Sequence, residues 1–187
     1  MFQKKLVIIF IFLVTINSFS QQTTVYTNDL VDFNSAYELY NDHQYLTAQS
    51  LFSDVIKKST NENVKSNSSY YIAISAIKLN QQNADYLMEQ FVAEYPTSIK
   101  RNSAYINIAD YYFRNSKFSN ARKWYDKVDE FSLSVKEKEQ FYFNNAYAFF
   151  KNKQNAEAKK YFNRLTTSEK YSSQAKYYLG YIAYEGD

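Results

Sequence analysis

Cysteine is absent from all 187 residues. That excludes a disulfide framework and thiolate metal sites, and it excludes lipid attachment through an N-terminal cysteine. Glycine occurs twice and proline once, so the chain has few of the residues on which tight β-turns and sharp breaks depend. Helices joined by short polar loops are the architecture that remains. The single histidine, His43, lies in the polar stretch Asn41–Gln44, with no spacing of acidic or histidine partners that makes a metal site or a general base. Gly180 and Gly186 form no phosphate-binding loop, and no serine stands in a nucleophile-elbow context. We therefore expect no catalytic residue, no metal and no cofactor. An excess of one charge is missing too. The formal net charge is +3, and it falls to +1 once Lys4 and Lys5 are set aside, which leaves no clustered basic face for nucleic acid.

The only long apolar run is Leu6–Val14, extended past Thr15 by Ile16. It is too short to span a bilayer, which takes about 20 residues. Lys4 and Lys5 precede it, and Ser18-Phe-Ser20 follows with small residues where a signal peptidase reads. Residues 1–20 thus have the form of a secretory signal peptide, followed by a polar, flexible leader over 21–28. Export is therefore expected, without a lipid anchor or a further membrane span.

What is plentiful is aromatic surface, with twenty Tyr and fifteen Phe in a chain that is 45% hydrophobic. Propensity alone would favour strands, but the periodicity is helical. In the stretch from Ala104 to Val128 two amphipathic helices flank a polar turn at Asn115–Lys117, and the pattern recurs. Ala48, Ala84, Ala121 and Ala158 are spaced 36, 37 and 37 apart. Four residues after each come Phe52, Met88, Tyr125 and Phe162, and seven after each come Val55, Phe91, Val128 and Leu165. A second series, Ala36, Ala73, Ala109, Ala146 and Gly180, steps by 37, 36, 37 and 34. Helices that cross closely need small side chains where their backbones meet, with larger neighbours filling the grooves. No such unit buries its apolar face alone, so neighbours must stack. The expected units are 29–63, 66–97, 101–133 and 137–169, with a half unit at 172–187 containing Tyr177, Gly180, Ala183 and Tyr184. Because the chain ends where a first helix should turn into a second, a truncated chain is expected.

With these residues in place, the chain resembles the tetratricopeptide repeat (TPR) family over about residues 30–187. Tyr105, Ala109, Tyr112, Phe118, Ala121, Tyr125 and Val128 follow that family's signature in order, and Tyr142, Ala146, Phe149, Ala158, Phe162 and Leu165 follow it again. Periods of 36–37 exceed the usual 34, the second unit is one residue short between Ala73 and Ala84, and the expected proline appears only as Pro96. The chain is similar to the N-terminal part of long exported TPR proteins of Bacteroidota, which implies a location in the periplasm or at the outer membrane. The resemblance implies an all-α fold, a right-handed superhelical solenoid of antiparallel helix pairs, and a non-enzymatic scaffold that binds protein or peptide partners of the cell envelope.

By the same resemblance, the position directly after each first-helix small residue lines the concave surface. Tyr37, Tyr147 and Tyr181 fall there, and Asn107, Asp110, Arg114, Asn144 and Lys151 would edge the same groove. Tyrosine offers rigid, amphipathic contact for a peptide or a glycan. Two other readings compete with the scaffold: a glycan- or nutrient-binding helical envelope protein, and the targeting part of an enzyme whose catalytic domain lies beyond Asp187.

Overall fold

The structure, a computed structural model, describes residues 28–186. The signal-peptide expectation for residues 1–20, almost all of the leader, and Asp187 lie outside the described residues. Among the described residues the chain is all-helical, with no strand. The helices are α1 (Asn28–Asn41), α2 (Tyr45–Lys58), α3 (Glu62–Lys78), α4 (Ala84–Glu94), α5 (Arg101–Arg114), α6 (Phe118–Tyr125), α7 (Val135–Lys151), α8 (Asn155–Asn163) and α9 (Ser172–Glu185), with a 3-10 turn at Glu130–Ser132 before α7. Neighbouring helices pack against one another in chain order. No helix here is long and apolar enough to cross a membrane.

Helices α1, α3, α5 and α7 end on one repeated device. His43, Asn80, Ser116 and Lys153 all adopt positive φ, between 52° and 62°. Each stands seven residues after its small first-helix residue: Ala36, Ala73, Ala109 or Ala146. The next amide reaches back five residues, as in Lys117 N–H to the Tyr112 carbonyl and Gln154 N–H to the Phe149 carbonyl, both 2.9 Å. The left-handed residue itself donates three residues back, as Ser116 does to Phe113 at 2.9 Å. This is the Schellman cap, which satisfies the last carbonyls and reverses the chain. Glycine is its usual occupant, and this chain builds it four times without one.

The alanine series is where the helices touch. Ala36, Ala48, Ala73, Ala84, Ala109, Ala121, Ala146 and Ala158 have no exposed surface, and Phe52, Met88, Tyr125 and Phe162 are buried as completely. Sequence and structure part at three places. First, Val128 and Leu165 are not helical. α6 ends at Tyr125 and α8 at Asn163, and the chain then tightens: Val128 N–H bonds Tyr125 O at 3.1 Å and Leu165 N–H bonds Phe162 O at 3.0 Å. Three residues per turn bring each apolar residue back under its knob, so Leu165 is still fully buried.

Second, the second unit begins at Glu62, inside the span 29–63 expected for the first, because Asn61 caps α3 by accepting from Asn63 and Val64 N–H. The Asp29 carboxylate accepts the Ser59 hydroxyl at 2.8 Å and so ties the start of α1 to the end of α2. Third, α9 turns a different side inward. Ala175 and Ile182 are buried, whereas Tyr177 is 65% and Tyr184 83% exposed, and a side chain at Gly180 would meet nothing within 4 Å.

Among the described residues, α7 has the strongest local start. Ser134 and Glu137 form a capping box, in which each side chain satisfies a backbone donor of the other. That places α7, which carries Phe143, Tyr147 and Phe150 of the aromatic cluster described next.

Candidate functional site

Tyr125 is the one member of its knob series with a hydroxyl, and Asp110 is the one acid among the residues that follow the small first-helix position. The two departures meet. The Tyr125 hydroxyl donates to Asp110, and Asn144 Nδ2 donates to the same carboxylate oxygen from α7 at 3.0 Å. One step earlier, Asn107 Nδ2 donates to the Tyr70 hydroxyl at 3.0 Å and links α5 to α3. Asn107, Asp110 and Asn144 are thus cross-ties between successive first helices, and their polar groups are engaged.

Burial pushes the Asp110 carboxyl above its usual range, against the opposing pull of the Tyr125 and Asn144 donors and the Arg114 charge. Burial and the adjacent carboxylate push the Tyr125 phenol well above its usual value. An acid whose pKa is raised on folding binds more protons folded than unfolded through that window, so it favours the folded state more as pH falls. We expect wild-type protein to gain stability relative to Asp110→Asn as pH falls through the folded pKa of Asp110 toward the ordinary carboxyl value, and to change little above that window. Urea midpoints at a series of pH values check this, and a pH-independent difference, or one of opposite slope, rejects it.

Around Tyr147 the side chains form an apolar well. Its ring meets Phe113 at 5.7 Å, Phe118 at 5.6 Å and Tyr178 at 5.5 Å, all close to edge-on. Phe113, Phe118, Phe143, Tyr147 and Tyr178 line a cavity of about 420 Å³, with Arg114 and Ser116 at its rim. Phe150 joins this well to a second cavity of about 430 Å³, because it contacts Tyr147, Tyr178 and Tyr181. Lys151, Lys153, Asn155, Tyr181 and Glu185 line that second space with Phe150. Lys151 Nζ lies 5.9 Å from the Phe118 ring, and the Tyr181 hydroxyl donates to Glu185 at 2.7 Å.

Of the eight residues singled out in the sequence, Arg114, Tyr147, Lys151 and Tyr181 therefore border two adjoining cavities. Asn107, Asp110 and Asn144 lie between helices, and Asp110 also borders a separate cavity of about 250 Å³ with Ile106, Phe141 and Lys170. Tyr37 stands apart near the start of the chain, stacked with Phe33 and Tyr40 and tilted against Tyr71 at 5.1 Å. Phe113, Phe143, Tyr178 and Lys153 were not singled out. The sequence carried no distinguishing signal for them, since Phe113 and Phe118 flank the third turn just as Tyr40 and Tyr45 flank the first. A larger cavity of about 600 Å³ lies at the Pro96–Asn102 connection. Its cations are already engaged: Arg101 donates to Pro96 O at 2.7 Å, and Lys127 lies 4.2 Å from the Trp124 ring.

No protein-family model matches the chain, and no curated protein is significantly similar to it.

Proposed function

We propose that the chain is a TPR-like interaction scaffold of the bacterial cell envelope, a right-handed solenoid of helix pairs that binds protein or peptide partners on the face formed by its first helices. It performs no chemistry of its own in this reading. The observation that carries the proposal is the order of packing. α1 touches α3, α3 touches α5 and α5 touches α7, while the even-numbered helices make no comparable contact with one another. Such packing supports an inner row of first helices and an outer, more widely spaced row of second helices, the geometry from which stacked helical hairpins derive a concave binding face. Export rests on the Lys-flanked apolar run at the start of the chain.

A photo-crosslinking amino acid distinguishes the two faces. Placed in the native envelope at Arg114 or Lys151, it is expected to yield discrete protein adducts. Placed at Lys123 on α6 or Lys160 on α8, both exposed on second helices, it is expected to yield none. Equal adducts from both sets, or none from either, would overturn the proposal.

A further inference from the structure

Three exposed cations, Arg114, Lys151 and Lys153, border the aromatic cavities. They form no ion pair among the described residues, although six other cation–carboxylate pairs form there. Two acids lie close, each hydrogen-bonded elsewhere: Asp110 faces the Tyr125 and Asn144 donors, and Glu185 accepts from Tyr181. Three cations against two carboxylates leave an apolar well whose rim is net positive.

The shape of the well narrows the choice of ligand. A sugar face needs a flat, accessible ring to stack on, but Tyr147 meets Phe113, Phe118 and Tyr178 at 68°, 69° and 78°. Rings set so steeply to one another offer no shared flat platform, although Phe143 is stacked with Tyr147. An aromatic cage for a cationic group is excluded by the rim, since Arg114 and the lysines repel such a ligand. At about 420 Å³ the well is at the small end of the roughly 300–1,000 Å³ of ligand pockets, room for one bulky side chain and adjoining backbone.

Resting on the scaffold reading above, we propose that this cavity pair binds an extended peptide segment in which one phenylalanine or leucine is flanked by aspartate or glutamate. The apolar side chain enters between Phe113, Phe118, Tyr147 and Tyr178. The flanking carboxylates meet Arg114 on one side and Lys151 and Lys153 on the other. Apolar burial supplies anchoring. The cations supply orientation and speed of encounter, and their share weakens as salt rises.

The test uses the purified protein and three fluorescein-labelled heptapeptides read by fluorescence anisotropy: Gly-Glu-Asp-Phe-Glu-Glu-Gly, its Phe→Ala form, and Gly-Lys-Lys-Phe-Lys-Lys-Gly. The first is expected to bind saturably, at least about tenfold tighter than either of the others and more weakly at higher salt. The double variant Arg114→Glu/Lys151→Glu, at two exposed positions, is expected to melt somewhat lower, because acids replace cations at two helix C-termini, to remain folded at the assay temperature by circular dichroism, and to lose at least about tenfold in affinity for that first peptide. Equal binding of the three peptides, no binding of any, or binding unchanged in the variant would overturn the inference. So would saturable binding of oligogalacturonate alone, which would assign the rim to an acidic glycan. If these peptides fail while the inner-face crosslinks above still capture proteins, the inference falls and the scaffold stands. If the crosslinks fail as well, both fall.

Discussion

Replacing Tyr125 with alanine is expected to lower stability by about 3–5 kcal/mol, the loss typical of a large buried aromatic reduced to a methyl group. Tyr125 is almost wholly buried in α6 and packs edge-on against Phe141 of α7 at 5.7 Å. Its removal opens a cavity between two hairpins and also leaves Asp110 without its hydroxyl donor. Tyr125→Phe separates the two effects. It keeps the ring and removes only the hydrogen bond, so it is expected to cost about 1–3 kcal/mol, the range for a bond to a charged group and for leaving a buried partner unpaired. Urea midpoints followed by helical circular dichroism check both. A loss under 1 kcal/mol for the alanine variant would mean that the hairpins do not pack through this knob.

Placing glycine at His43, Asn80, Ser116 and Lys153 together is expected to raise stability by about 2–3 kcal/mol. The left-handed conformation costs an ordinary L-residue about 1–2 kcal/mol, less for Asn80. Glycine gives back part of that gain, because it makes the unfolded chain more flexible by about 0.4–1 kcal/mol per site. The four positions are about a hairpin apart, so their effects should add. The same urea midpoints read the result, and an unchanged or lowered midpoint would reject the cap assignment. Ser116→Val is the opposite control, since a β-branched residue tolerates positive φ poorly.

These two predictions draw on features that were unequally legible in the sequence. The buried alanines and the knobs four residues beyond them were visible as spacing, because close helix crossing admits few residue types. The turns were visible as polar interruptions, but their conformation was not. No glycine marks the left-handed residue, and His, Asn, Ser and Lys share no chemistry that flags it. The α6 end was misjudged because a 3-10 turn returns Val128 to the same side that another turn of α-helix would have reached. α9 was misjudged because its spacing matches the small-residue series, while the face that meets α8 is set by Ala175, Tyr178 and Ile182.

The site was legible in part. Arg114, Tyr147, Lys151 and Tyr181 border the cavities. Asn107, Asp110 and Asn144, which the alanine spacing left without a task, turned out to tie one first helix to the next. Polar residues on a helix facing another helix look the same in one dimension whether they await a ligand or hold a neighbour. Only the partner's position separates the two, and Asp110 and Tyr125 are fifteen residues apart.

A core assembled from near-identical pieces has a registry problem during folding. Every second helix offers alanine and a bulky knob, so α6 could dock on the wrong first helix and still bury apolar surface. The Tyr125–Asp110–Asn144 contact removes that degeneracy. Beside Tyr37, Ile74 or Tyr147, the positions that correspond to Asp110 in the other hairpins, the Tyr125 hydroxyl would find no carboxylate and would be buried unpaired at a cost of roughly 1–3 kcal/mol. The polar contact therefore acts as an address within the array, as single buried polar groups do in coiled coils, and Tyr125→Phe is the variant in which misdocked chains should accumulate on refolding.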